Sequence, residues 1–132
     1  MQSALKVYDE IFPTLIHKSV IGVYTDNQEY KDIFKHSKKL ILESDPLKAD
    51  IVFMTERTRL LTILQDKFLT LKTKKKPIIF VTDYRLMKYS LDIVGAFYWR
   101  KGRSQLLFID NRLKDHNITL PKKYESFTVD EL

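Results

Sequence analysis

Three apolar runs in this chain each end on a polar pair: VIGVY on Thr25-Asp26, ADIVFM on Thr55-Glu56, and PIIFV on Thr82-Asp83. If the runs are parallel strands, the pairs gather at the carboxyl end of a sheet, where open α/β proteins take their ligands. Carboxylates collected in such a crevice can hold Mg²⁺ or act as acid and base. Asp26 and Asp83 also stand just ahead of helical patterns, where a side-chain oxygen caps the first turn, and that is the commoner use of an aspartate there.

Other chemistries fit less well. A response-regulator receiver needs a carboxylate ending its third strand, an acidic pair after its first, and a late lysine. Asp26, Thr82 and Lys101 can fill other roles of that set, but Met54 is followed by Thr55-Glu56, and Asp50 begins its strand rather than ending it. The acidic pair is also missing, because Asp26 is followed by Asn27. His17, His36 and His116 are far apart and lack the spacing of a zinc motif. No serine lies in a GxSxG setting, and the three glycines write no phosphate-binding loop. With no cysteine there is no disulfide, thiolate site or cysteine nucleophile. No metal and no cofactor is read from these residues.

The elements that must position the strand ends follow from periodicity. Leu5, Tyr8, Phe12 and Leu15 fall at helical steps and predict a helix over 3–16, which Pro13 would end or kink. Strands are expected over 18–25, 40–43, 49–54 and 77–82. The last two are apolar throughout, as in strands covered on both faces. Helices are expected from Asn27 to about Ser37, from Thr55 to about Thr73 with Leu60, Leu64, Phe68 and Leu71 on one stripe, and from Asp83 to about Ile93. Beyond Gly95, two aromatic-apolar runs flank Arg100-Lys101-Gly102-Arg103, a hairpin signal. A weak helix and an extended piece are expected over 111–124, and residues 125–132 are expected to be loosely held. The fold class is therefore α/β: a single domain over 1–132, a three-layer sandwich with a mixed, mainly parallel sheet that ends in an antiparallel hairpin.

At 132 residues with 44% hydrophobic content, the chain can bury a core unaided. Its net charge is +6, and residues 57–103 hold 12 basic against 3 acidic side chains. Such a middle can attract anions, nucleic acid or an anionic membrane, although a charge run more often keeps a face soluble. Tyr98-Trp99 among Arg100, Lys101 and Arg103 can stack a base, but one tryptophan on one turn is little beside the interleaved aromatics of single-strand binders, and nucleic acid is not an expected partner. No apolar stretch reaches the roughly 18–20 residues a membrane span needs. The first residues, MQSALKVYDE, carry no export signal as given.

The order of elements resembles the YfiR-like periplasmic regulators. The resemblance runs from a leading helix, Ala4–Ile16, into the strand Val20–Thr25. It continues through the ADIVF-type strand Ala49–Phe53 and the KPIIFVTD-type strand Lys76–Asp83. A Gly-led hairpin then spans Gly95-Ala96-Phe97-Tyr98-Trp99 to Leu106-Leu107-Phe108-Ile109, leading into Asp110-Asn111 and the segment Ile118-Thr119-Leu120. It covers about residues 4–124. The family usually has a Gly pair where this chain has Gly95-Ala96, and its redox-sensitive Cys pairs are absent here, so disulfide-based sensing is ruled out.

The resemblance implies a non-enzymatic regulatory or sensory binding domain in the periplasm, exported by a signal or anchor outside the given sequence. Its partner would be an inner-membrane signalling protein, a diguanylate cyclase or histidine kinase, with a small-molecule ligand or a second copy of the chain as further candidates. Tyr8, Phe12 and Leu15 would form the partner face, and Thr25, Asp26, Thr55, Glu56, Thr82, Asp83 and Tyr84 the ligand crevice. Two alternatives remain beside it. One is a small cytoplasmic nucleotide- or metal-binding enzyme using Asp26 and Asp83; the other is a degenerate receiver-like interaction domain.

Overall fold

Parallel strands need crossover connections, and the chain supplies one after nearly every strand. The computed structural model describes residues 2–65 and 76–132. In chain order the elements are α1 (Gln2–Leu15), β1 (Ile21–Tyr24), α2 (Gln28–Phe34), β2 (Leu40–Leu42), β3 (Ile51–Met54), α3 (Arg57–Ile63), β4 (Ile78–Val81), β5 (Ile93–Arg100), β6 (Arg103–Ile109), α4 (Asp110–Asp115) and β7 (Thr128–Val129). Short 3-10 turns occupy Pro46–Lys48, Tyr84–Tyr89 and Lys122–Phe127.

The strands form one mixed sheet in the order β2-β1-β3-β4-β5-β6-β7. Every neighbouring pair is parallel except β5–β6, which is antiparallel. The chain is thus an α/β domain with a mainly parallel sheet and a hairpin. The order reverses between β1 and β3, the switch point at which doubly wound sheets open a crevice.

Two cores lie on the two faces of the sheet. One joins α1, α2 and α4 to Phe53, Phe80 and Phe108; the other joins α3 and the Tyr84–Tyr89 turn to Val52, Ile79 and Val81. Successive residues of β3 and β4 feed opposite cores, which is why both runs are apolar throughout.

The register of β5 contains one extra residue. Ile79 of β4 pairs with Ile93, whereas Phe80 pairs with Gly95, so Val94 forms a bulge.

Several expectations are corrected. Tyr8, Phe12 and Leu15 are not a partner face: all three are buried, because the apolar stripe of α1 faces the sheet. Pro13 does not stop α1 short; it sits in the last turn, where its missing N–H costs one bond to the carbonyl of Asp9. The segment after Asp83 is a 3-10 turn rather than a helix, and Ile93 already belongs to β5. Residues 125–132 are not a loose tail throughout. Thr128–Val129 pairs parallel to Phe108–Ile109, and Glu131 binds Arg112. Of the expected long helix after Thr55, α3 spans Arg57–Ile63; Phe68 and Leu71 lie outside the described residues.

Tyr8 is at the centre of an aromatic cluster, with ring centroids 5.1 Å from Phe53, 5.3 Å from Phe12 and 5.7 Å from Phe34. Its hydroxyl is buried and makes no hydrogen bond of full geometry among the described residues, with the Tyr30 hydroxyl its one polar neighbour close enough to perturb it. Burial, with the neighbouring Tyr30, pushes its pKa far above the ordinary phenol value. An unpaired buried hydroxyl costs its desolvation without return. Tyr8→Phe is therefore expected to stabilise the fold by about 1 kcal/mol, read as a higher urea midpoint at unchanged slope. A loss of stability would show that the hydroxyl has a partner after all.

Candidate functional site

The strand ends of β1 and β3 are joined by side chains. Thr25 is buried, and its Oγ1 accepts from the backbone N–H of Asn27 at 3.3 Å. Asn27, rather than Asp26, caps α2: its Oδ1 accepts from the Tyr30 N–H at 3.0 Å. Its Nδ2 then donates across the switch point to Thr55 Oγ1 at 3.3 Å. This leaves Asp26 free of capping duty. Arg59, in the first turn of α3, donates to the Asp26 carbonyl at 3.0 Å and lies 3.5 Å from its carboxylate. The same guanidinium approaches Glu56 at 3.7 Å. Thr25, Asp26, Thr55 and Glu56 thus form one linked group around Arg59.

Thr82, Asp83 and Tyr84 form a second group. The Thr82 N–H donates to Met54 O at 3.3 Å, which ties the end of β4 to β3. Asp83 caps the following turn through the Arg85 N–H at 2.9 Å. Its carboxylate also takes a two-pronged bond from the Arg85 guanidinium, Nε at 3.0 Å and Nη2 at 2.8 Å. The hydrogen bond from Arg85 holds the Asp83 carboxyl below the usual carboxylate range. The Tyr84 ring packs on Tyr98 with centroids 5.0 Å apart, and the Arg100 guanidinium lies 5.3 Å from the Tyr84 ring centre.

The crevice residues read from the sequence therefore occupy the same end of the sheet, in two groups. Asn27, expected only to open a helix, completes them together with Arg59 and Arg85, which are not among the expected site residues. Arg59 follows Glu56 by three residues on a helix, a spacing that marks an ion pair but not its reach to Asp26.

A cleft of about 820 Å³ lies at the opposite end of the sheet, lined by His17, Lys18, Asp50, Lys76 and His116 among others. Several of its charges are paired. Lys18 meets Asp50 at 2.8 Å, and His116 Nε2 and Lys76 meet Asp92 at 2.9 and 3.7 Å. Among the described residues no group of three or more His, Asp or Glu side chains is placed to hold a metal.

No family model matches the chain, and no curated protein matches it. A solved structure does: a conserved domain protein from Vibrio cholerae O1 biovar El Tor strain N16961, 10% identical, with a TM-score of 0.63. The fold is shared. The match covers 95% of this chain and 59% of that one, so the chain spans less than two thirds of its neighbour's length. At 10% identity the likeness concerns the arrangement of strands and helices only.

Proposed function

We propose that the chain is a non-enzymatic regulatory binding domain, similar in role to the YfiR-like regulators. It takes a small ligand at the carboxyl ends of β1, β3 and β4 and acts in the periplasm on an inner-membrane signalling protein, a diguanylate cyclase or histidine kinase. The observation that supports this most is the state of the crevice carboxylates. Asp26 and Glu56 share Arg59, and Asp83 is held by Arg85 in a two-pronged pair. Asp83, held in that pair with its carboxyl below the usual range, is a poor base. What remains on offer is recognition by the Thr55 hydroxyl, the Arg59 guanidinium and the Tyr84 ring, over a floor set by Thr25 and Asn27.

The source cells provide the test. The native product is expected in the periplasmic fraction, and its deletion is expected to change the cyclic di-GMP level or the phosphorylation of a membrane kinase several-fold. Arg59→Ala, in a half-exposed side chain, is expected to keep the fold and fail to restore that output. A product recovered in the cytoplasm, or full restoration by the Arg59 variant, would overturn the proposal.

A further inference from the structure

The β5–β6 hairpin outruns the rest of the sheet. β4 pairs with β5 only as far as Ala96, and β7 pairs with β6 only at Phe108 and Ile109. β5 and β6 stay paired to Arg100 and Arg103, so the last turns of the hairpin form a free two-stranded ribbon. Lys101 and Gly102, at φ of 54° and 76°, close it in a tight turn.

The ribbon has two unlike faces. Phe97, Trp99, Ser104 and Leu106 share one, and Tyr98, Arg100, Arg103 and Gln105 share the other. Phe97 and Leu106 are half-buried against the α1 side of the core. Trp99 continues that face past the point where the protein covers it, and the residue is 74% exposed. Between Phe97 and Leu107 there are three cations and no carboxylate. None of the three is in an ion pair among the described residues.

A bare indole beside cations that meet no carboxylate, at the tip of a ribbon, complements a surface that is anionic outside and apolar beneath. The headgroup region of a bilayer has that build: tryptophan settles at its interface, and lysine and arginine hold its phosphates. A nucleic-acid strand fits less well. Stacking platforms present several free rings, whereas Tyr84 and Tyr98 pack on each other and Arg100 lies over Tyr84.

We propose that the β5–β6 tip docks on an anionic phospholipid surface, with Trp99 in the headgroup region and Arg100, Lys101 and Arg103 on the phosphates. The tip projects from the end of the sheet where β1, β3 and β4 run out, so docking turns the crevice toward the bilayer. The inference stands apart from the regulatory reading, because it needs only the ribbon.

Trp99 is the single tryptophan, and its fluorescence reports on the tip alone. Mixed with vesicles of phosphatidylglycerol and phosphatidylcholine, the full chain is expected to show a blue-shifted emission that brominated acyl chains quench. Pure phosphatidylcholine is expected to give no shift. Added salt should weaken binding. The triple variant Arg100→Gln, Lys101→Asn, Arg103→Gln should lower vesicle partitioning on the order of 100-fold, measured by sedimentation. Asparagine is chosen at 101 because it tolerates positive φ. An unshifted emission with the anionic vesicles overturns the inference, as does a triple variant that sediments like the parent. A shift with a single-stranded oligonucleotide and none with vesicles would assign the ribbon to nucleic acid instead.

Discussion

Replacing Arg112 with methionine is expected to cost about 3–5 kcal/mol of folding stability, at about 1–3 kcal/mol for each buried carbonyl left unpaired, a large share of what a domain of this size possesses. Arg112 is 4% exposed, on α4. Its Nη1 donates to three carbonyls: Met87 at 2.7 Å, Ser90 at 3.1 Å and Ile93 at 3.1 Å. These carbonyls run from the turn after β4, through Ser90, to the first residue of β5. Nε and Nη2 meet Glu131 at 3.1 and 3.0 Å. One side chain therefore ties the entry to β5 to the last residues of the chain. Methionine keeps much of the stem and removes every donor, so the buried Met87 and Ile93 carbonyls lose the guanidinium and water has little room to replace it, while Ser90 O keeps the Ile93 N–H at 3.3 Å. Glu131→Gln is expected to cost only about 1 kcal/mol, because that side chain is 40% exposed and a neutral amide oxygen can still accept. Urea unfolding of both variants checks the ordering. A methionine variant within about 1 kcal/mol of the parent would mean that the carbonyls find water instead.

That role is not legible in the sequence, and the reason is physical. Arg112 follows Asn111 in a segment that reads as a weak surface helix, and arginine is seldom fully buried. Its burial depends on three carbonyls 19 to 25 residues away, which no local pattern connects. β7 escapes notice on similar grounds: two residues carry no period, and they become a strand only because β6 offers a parallel edge. The central strands are legible because Ile51–Met54 and Ile78–Val81 are covered on both sides and show it as unbroken apolar runs. The hairpin is legible because Gly102 marks its turn.

The candidate crevice is legible in position but not in connection. Strand ends follow from strand limits, so Thr25, Thr55 and Thr82 can be grouped from the apolar runs alone. Which side chain caps and which stays free cannot: Asn27 takes the cap of α2, and Asp26 turns to Arg59. The helical stripe of α1 is plain in the spacing of its apolar residues, yet a stripe does not say what covers it. Here the sheet does, and Tyr8, Phe12 and Leu15 become core.

Gly95→Ala is the second change expected to act strongly, at about 3 kcal/mol, the upper end of ordinary overpacking. Gly95 pairs with Phe80 on one side and Phe108 on the other. A Cβ there would lie 2.8 Å from the Phe80 ring and 2.9 Å from the Phe108 ring, both fully buried. The Gly95 backbone is outside the left-handed region, so the expected cost is steric and not conformational. Gly102 is the converse case: a Cβ there meets nothing within 4 Å, but its φ of 76° strains any side chain, at roughly 1 kcal/mol. Phe80→Leu should separate the two causes at position 95. Combined with Gly95→Ala it should cost less than it does alone, because the smaller side chain relieves part of the clash. Strictly additive losses would place the strain in the backbone. The site also bears on the ribbon. The bulge at Val94 resets the alternation of β5, and Gly95 is the first residue after it, so the pairing held between Phe80 and Phe108 decides which face Phe97 and Trp99 occupy. Amide hydrogen exchange along Phe97–Arg100 in the Gly95 variant should therefore rise well before the exchange of Ile51–Met54 does.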